Sequence, residues 1–269
     1  MQTQIQAETQ ALQSCAIEAP QKIGIGAYPV YGDDRLADDL AELGAPWFYT
    51  WRNDHGVSYP GFVPMIWSGA FVDEAGQAPG EVMLTFNEPD LHNQADMSVD
   101  EALHNWPVLM HTGKRLGSPA TTSGNETGPA SWLGRFMNGA ERRGYRVDFI
   151  AVHDYATNPD VRAFRRRLER IHEAYDRPIW VTEWALADFA NPTRFSRSEQ
   201  LRYFEAGSEM LDDLPFVERH AWFGIYEGLD NWHLSSGLIE DGELTEIGEV
   251  YRRLVTCAQN ATTPQDTAN

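Results

Sequence analysis

The chain has 269 residues, 42 % hydrophobic and 23 % charged, a length and balance that allow one large α/β domain or two small ones with a full core. Its 21 Lys and Arg face 40 Asp and Glu, a formal net charge of −19, which repels phosphate backbones and anionic lipid surfaces and argues against nucleic acid or membrane as a partner. No run of about eighteen apolar residues occurs, so no membrane span is expected.

The segment Met1–Gln13 is polar and Gln-rich and lacks the basic start and apolar run of a leader peptide. The expectation is a secreted, cell-surface or periplasmic protein whose leader has been removed, an intracellular one being the alternative. Residues 1–20 and 259–269 are polar and aperiodic and read as an extension and a tail around one domain, 21–258. Within it, short apolar runs alternate with amphipathic stretches. The strand candidates are Lys22–Tyr28, Pro46–Trp51, Gly61–Ser68, Glu81–Asn87, Arg115–Thr121, Val147–Tyr155, Pro178–Trp184 and Arg219–Tyr226, each short, apolar and rich in β-branched or aromatic residues. Ser98, with Glu101 three residues on, signals a helix N-terminus, and Pro107 should bend or interrupt the helix that follows. Trp132, Phe136 and Ala140 keep helical spacing. Over Asp160–Tyr175 an apolar stripe of Val161, Phe164, Leu168, Ile171 and Tyr175 predicts an amphipathic helix, and Ser198–Leu211 predicts another.

Eight strands alternating with helices over this length is the count of a (β/α)₈ TIM barrel, an α/β fold. A doubly wound open sheet is the runner-up. Gly24-Ile25-Gly26 lacks the third glycine of a nucleotide loop, which weakens that reading. Cys15 and Cys257 sit near the two ends, which a barrel brings together. A disulfide is therefore open to them, as are two separate thiols.

A barrel carries its chemistry at the C-terminal ends of its strands. The fourth strand ends Phe86-Asn87-Glu88-Pro89-Asp90 and the seventh ends Val181-Thr182-Glu183-Trp184. Strict alternation puts Phe86 with Glu88 and Val181 with Glu183 on one face, so both glutamates are expected to point into the barrel mouth. Facing carboxylates suit glycoside hydrolysis, in which one protonates the leaving oxygen and the other attacks the anomeric carbon or activates water. The alternative is that either glutamate pairs with an arginine. His153 and Tyr155 share parity on the sixth strand and are expected at the mouth. So are the aromatics Trp51, Trp67, Trp184, Trp222 and Tyr226, because sugar rings pack their flat C–H faces on indole and phenol. The chain's 9 Trp, 10 Tyr and 12 Phe exceed what a core of this size needs. The loop Asp230-Asn231-Trp232-His233 is a further candidate. No His, Asp or Cys set has metal-ligand spacing, so no metal or cofactor is expected, and no Gly-x-Ser-x-Gly elbow suggests an esterase.

These segments carry a resemblance. Asn87-Glu88-Pro89 after the fourth strand and Glu183 after the seventh resemble the clan of retaining TIM-barrel glycosidases. Six ordered stretches are similar to glycoside hydrolase family 128, the β-1,3-glucanases: Trp47-Phe48-Tyr49-Thr50-Trp51, Gly61 to Trp67, Phe86 to Asp90, Leu116 to Ala120, Val147 to His153 and Pro178 to Glu183. The resemblance implies Glu88 as acid/base, Glu183 as nucleophile, Asn87 on the sugar 2-hydroxyl, a β-glucan substrate and an endo-acting, retaining monomer. Asp154 and Thr50 depart from the family pattern, where an aromatic and an Asn are common. A barrel acting on xylan, mannan or β-1,4-glucan, and a non-catalytic glucan-binding barrel, are the rival readings.

Overall fold

A computed structural model describes residues 17–54, 56–228 and 233–261, without the side chains of 257–261. Cys15, the Cys257 side chain and most of the 230–233 loop lie outside the described residues.

Parallel pairing runs around the whole sheet. Five strands are laddered in the spatial order Trp47–Tyr49, Ile23–Gly26, Val217–Phe223, Ile179–Leu186, Ile150–Ala156. The ring continues from Phe48 to Phe62, from Met65 to Leu84, from Val82–Met83 to Arg115–Leu116, and from Gly117 to Phe149, all parallel. That closes eight strands into a (β/α)₈ barrel in the order expected from the sequence. The third strand, 62–65, is held by single bridges only. Its neighbouring units are also irregular: among the described residues no helix follows the second strand, and a 3₁₀ segment, Gly69–Gln77, follows the third.

The remaining helices form the outer layer: Asp33–Leu43, Val99–His111, Trp132–Arg142, Val161–Tyr175, Arg197–Asp212 and Glu246–Ala261. Two of them start at the kind of cap a helix N-terminus favours. Ser98 Oγ accepts from Glu101 N at 3.1 Å, and Ser196 with Glu199 completes a reciprocal capping box. Pro107 does not interrupt its helix, which runs on to His111. At the N-terminus the structure revises the expected loose end. Ile17 and Pro20 are buried, and the Glu18 and Ala19 amides donate to the Asp212 carboxylate at 2.7 and 3.0 Å.

Two apolar layers result. One fills the barrel with Trp47, Tyr49, Val63, Met65, Leu84, Phe149, Trp180 and Ala221. The other lies between strands and helices. The first strand must be nearly bare for the inner layer to fit. A Cβ on Gly24 would lie 2.2 Å from the Trp47 indole, and one on Gly26 would lie 2.8 Å from Trp51. The Gly24-Ile25-Gly26 pattern is thus a packing requirement of two tryptophans.

Candidate active site

Glu88 and Glu183 both reach the mouth, but not by alternation. On the seventh strand Trp180 points into the barrel, while Val181 and Trp184 join the outer layer. Val152 pairs with Val181, yet His153 pairs with Glu183. Thr182 is therefore an extra residue, a β-bulge, and it turns Glu183 inward. On the fourth strand Phe86 also belongs to the outer layer, edge-on to Trp106 at 6.2 Å. Glu88 turns to the mouth through a left-handed backbone, φ +42°, held where its N–H donates to the Ala120 carbonyl at 2.7 Å. Trp51 is likewise left-handed, φ +58°. Such conformations are strained for side-chain-bearing residues and persist where the surroundings fix them.

The two carboxylates meet around His153. A carboxylate oxygen of each glutamate and a ring nitrogen of His153 all lie within 4.8 Å of one another. His153 Nδ1 is 2.9 Å from Glu88 Oε1 and 3.4 Å from Glu183 Oε2. Burial pushes the imidazole down, but Glu183 and Glu88 together outweigh it and hold it above the usual range. Three donors converge on Glu183: Trp51 Nε1–H to Oε1 at 2.7 Å, the Tyr49 hydroxyl to Oε1 at 3.2 Å and the Tyr155 hydroxyl to Oε2 at 2.5 Å. Burial, reinforced by Glu183, raises both phenols well above their ordinary range, so they stay protonated donors. Glu88, His153 and Glu183 could geometrically hold a cation, but both Glu183 oxygens already accept N–H or O–H donors.

Glu88, Glu183, Trp51 and Tyr155 line a cleft of about 750 Å³ together with Tyr28, Trp67, Asn87, Gln94, Phe189 and Phe223, with His153 and Tyr49 buried behind them. Asn87 Nδ2 donates to Gln94 Oε1 at 3.1 Å, and its Oδ1 is buried without a protein partner, ready for a ligand hydroxyl. A larger groove, about 1100 Å³, lies on the outside of the barrel between Val99–His111 and Trp132–Arg142, away from the strand C-termini.

Among the expected binding residues, Asn87, Trp51, Trp67, His153 and Tyr155 gather at this cleft. Trp184, Trp222 and Tyr226 do not. Trp184 and Trp222 are fully buried in the outer layer, edge-on to each other at 4.7 Å. The Thr182 bulge reverses the parity of the first. On the eighth strand Ala221 faces inward, so Phe223 rather than Trp222 reaches the cleft, packing on Trp51 and Tyr155 at 5.9 and 5.3 Å. Tyr226 lies beyond the cleft, and its buried hydroxyl donates to Asp39 at 2.6 Å. Phe223, Tyr49, Tyr28, Phe189 and Gln94 escaped the sequence reading. Only Tyr49 had a signal, its shared parity with Trp47 and Trp51.

Residues 27–251 match the family described as glycosyl hydrolase catalytic core. A GH128 (subgroup I) endo-beta-1,3-glucanase from Amycolatopsis mediterranei, solved with laminaritriose, has a TM-score of 0.77 and 40 % identity, covering 87 % of this chain and 99 % of that one. This chain belongs to the GH128 family. A glutamate-to-glutamine variant of the Amycolatopsis enzyme, solved with laminarihexaose, is similar at 41 % identity and TM-score 0.77, with coverages of 86 % and 98 %. The GH128 (subgroup II) endo-beta-1,3-glucanase of Pseudomonas viridiflava is more distant, at 29 % identity and TM-score 0.67 over 86 % of this chain and 96 % of that one. Alkali-sensitive linkage protein 1 of Schizosaccharomyces pombe is 27 % identical over 245 residues, 80 % of this GH128 chain, which spans 41 % of that protein's length. No helix among the described residues is long and apolar enough to cross a membrane.

Proposed function

We propose that this GH128 chain cleaves internal linkages of β-1,3-glucan by a retaining double displacement, as its Amycolatopsis relative is an endo-beta-1,3-glucanase. The observation that carries the mechanism is the short gap between the carboxylates, with oxygens within 4.8 Å. Retaining enzymes hold the two groups about 5–5.5 Å apart, whereas inverting ones leave about 6.5–9.5 Å for a water.

In this reading Glu183 is the nucleophile. Trp51, Tyr49 and Tyr155 fix its carboxylate, so attack on the anomeric carbon needs little reorganisation. Glu88 gives its proton to the departing glycosidic oxygen, a glycosyl-enzyme forms on Glu183, and Glu88 then takes a proton from the water that releases it. His153, between them, orients both. Asn87 Oδ1 accepts the sugar 2-hydroxyl. Trp51, Trp67, Tyr28, Tyr155, Phe189 and Phe223 supply apolar faces for successive rings. A polymeric substrate does not cross a membrane, which supports action at or beyond the cell surface.

The test is reducing-end release and product length from a linear β-1,3-glucan, beside xylan, mannan and β-1,4-glucan, with Glu183→Gln as control. Short oligomers from the β-1,3-glucan alone, absent with the variant, are expected. Release from another polymer instead would overturn the substrate assignment.

A further inference from the structure

One charged network lies directly behind the acid/base side of the cleft and takes no part in the mechanism above. Its hub is Arg167. By spacing, Arg167 sits on the apolar stripe of its helix, three residues after Phe164 and four before Ile171, where a charge is costly unless paired. It is paired three times. Its guanidinium donates to the Glu126 and Asp154 carboxylates, and Nη2 donates to the His153 carbonyl at 2.7 Å. The three side chains are only 14, 4 and 10 % exposed for Arg167, Glu126 and Asp154. Asp154 is buried beside the catalytic face of its strand. It occupies the outer face of its strand and also accepts from the Tyr203 hydroxyl at 3.2 Å.

Glu126 belongs to the loop that forms one wall of the cleft. Its other oxygen accepts from Gly124 N at 2.8 Å, and Tyr175 donates its hydroxyl to the Glu126 carbonyl. Ser123, on the cleft wall, donates to the same His153 carbonyl at 3.2 Å. The loop's other end is held by Asp90, two residues after Glu88. Asp90 accepts from Thr122 N at 3.1 Å, from the Thr122 hydroxyl and from Asn125 Nδ2 at 2.7 Å. The loop is therefore gripped at one end by the segment that carries Glu88 and at the other by the arginine that holds the backbone of His153. His153 in turn contacts Glu88.

We propose that Arg167 is a positioning residue for the acid/base: through His153 and the 122–126 loop it fixes where the Glu88 carboxyl stands over the scissile oxygen. This rests on the glycosidase reading and deepens it. An arginine suits the place because its planar fork can serve three acceptors at once, which a lysine ammonium cannot do with the same geometry. A displacement of the acid by about an ångström can cost on the order of 10²-fold in rate.

The experiment exploits leaving groups. Hydrolysis of a β-1,3-glucan needs proton donation from Glu88. A 2,4-dinitrophenyl β-laminaribioside has a leaving group good enough to depart without it, and kcat/KM for that substrate reports the attack by Glu183. Arg167→Met is expected to lower kcat/KM on the glucan by about 10- to 100-fold, and on the dinitrophenyl substrate by less than about threefold. Arg165→Gln, on the exposed side of the same helix, should change neither. If Arg167→Met does not fold, Glu126→Gln carries the same test, since it loosens the loop and leaves the Asp154 and His153 contacts. Equal losses on the two substrates, or no loss on either, would overturn the proposal. A wild-type chain inactive on both would instead defeat the glycosidase reading.

Discussion

The two ends of the barrel use the same residue types for opposite ends. At the bottom, Trp47 and Trp180 fill the interior, and each indole N–H is tied off, to the Lys22 carbonyl at 2.9 Å and to Glu218 at 2.9 Å. The Arg219 guanidinium lies against both rings, 5.3 and 4.5 Å from their centroids. Both indole N–H groups there are used within the protein. At the top, the Trp51 N–H goes to Glu183, the Trp67 ring is half-buried in an open cleft, and Asn87 Oδ1 and His153 Nε2 are buried with no protein partner. The indole N–H groups of Trp47 and Trp180 serve the scaffold, whereas that of Trp51 serves the carboxylate of Glu183.

This contrast predicts different consequences of damage. The largest effect belongs to the top. Glu183→Gln should reduce kcat by on the order of 10⁴-fold or more and Glu88→Gln by about 10²- to 10⁴-fold on β-1,3-glucan, with melting temperature nearly unchanged in both. A variant of either that retains more than a tenth of wild-type turnover would break the assignment. The tryptophans come next. Trp180→Ala should cost about 3–5 kcal/mol of stability in denaturant titration, while the folded fraction keeps its kcat. Trp67→Ala should raise KM about tenfold with less than about 1 kcal/mol lost. Equal destabilisation by the two would erase the distinction between the ends.

The smallest effect sharpens the comparison at a third place, the outer layer. His220 is fully buried against Trp184, and neither of its ring nitrogens has a partner. Burial pulls its imidazole down to about 3, far below the unfolded value of about 6.5. The unfolded chain therefore takes up a proton that the folded one refuses. Stability from this group is full above about 6.5 and falls as the pH drops from there toward about 3. His220→Phe should flatten the acid-side loss relative to wild type when unfolding is measured at pH 7 and pH 4. An unchanged difference between the two pH values would show that His220 does not contribute to it.

The barrel itself was legible because its strands are buried on both faces and separated by clear helical stripes. The site was legible as far as a regular strand extends. Trp51, Trp67, His153 and Tyr155 follow alternation from Trp47, Val63 and Phe149. Glu88 and Glu183 arrive at the right place by irregularities that alternation cannot express, a left-handed residue and a bulge at Thr182. The same bulge, together with the inward-facing Ala221, sends Trp184 and Trp222 into the core. Gln94, Ser123 and Phe189 come from loops, where no periodicity exists to read. Arg167 carried a signal, a charge on an apolar stripe, which marks a buried pairing without naming its partners.

The central claim is that Glu88 and Glu183 act as a retaining pair on β-1,3-glucan, and the anomeric configuration of the first product tests it most directly. Proton NMR during the earliest turnover of a linear β-1,3-glucan should show the β-anomer of the new reducing end first, with the α-anomer growing in only by mutarotation. An initial α-anomer would mean inversion and would contradict the roles given to the two glutamates.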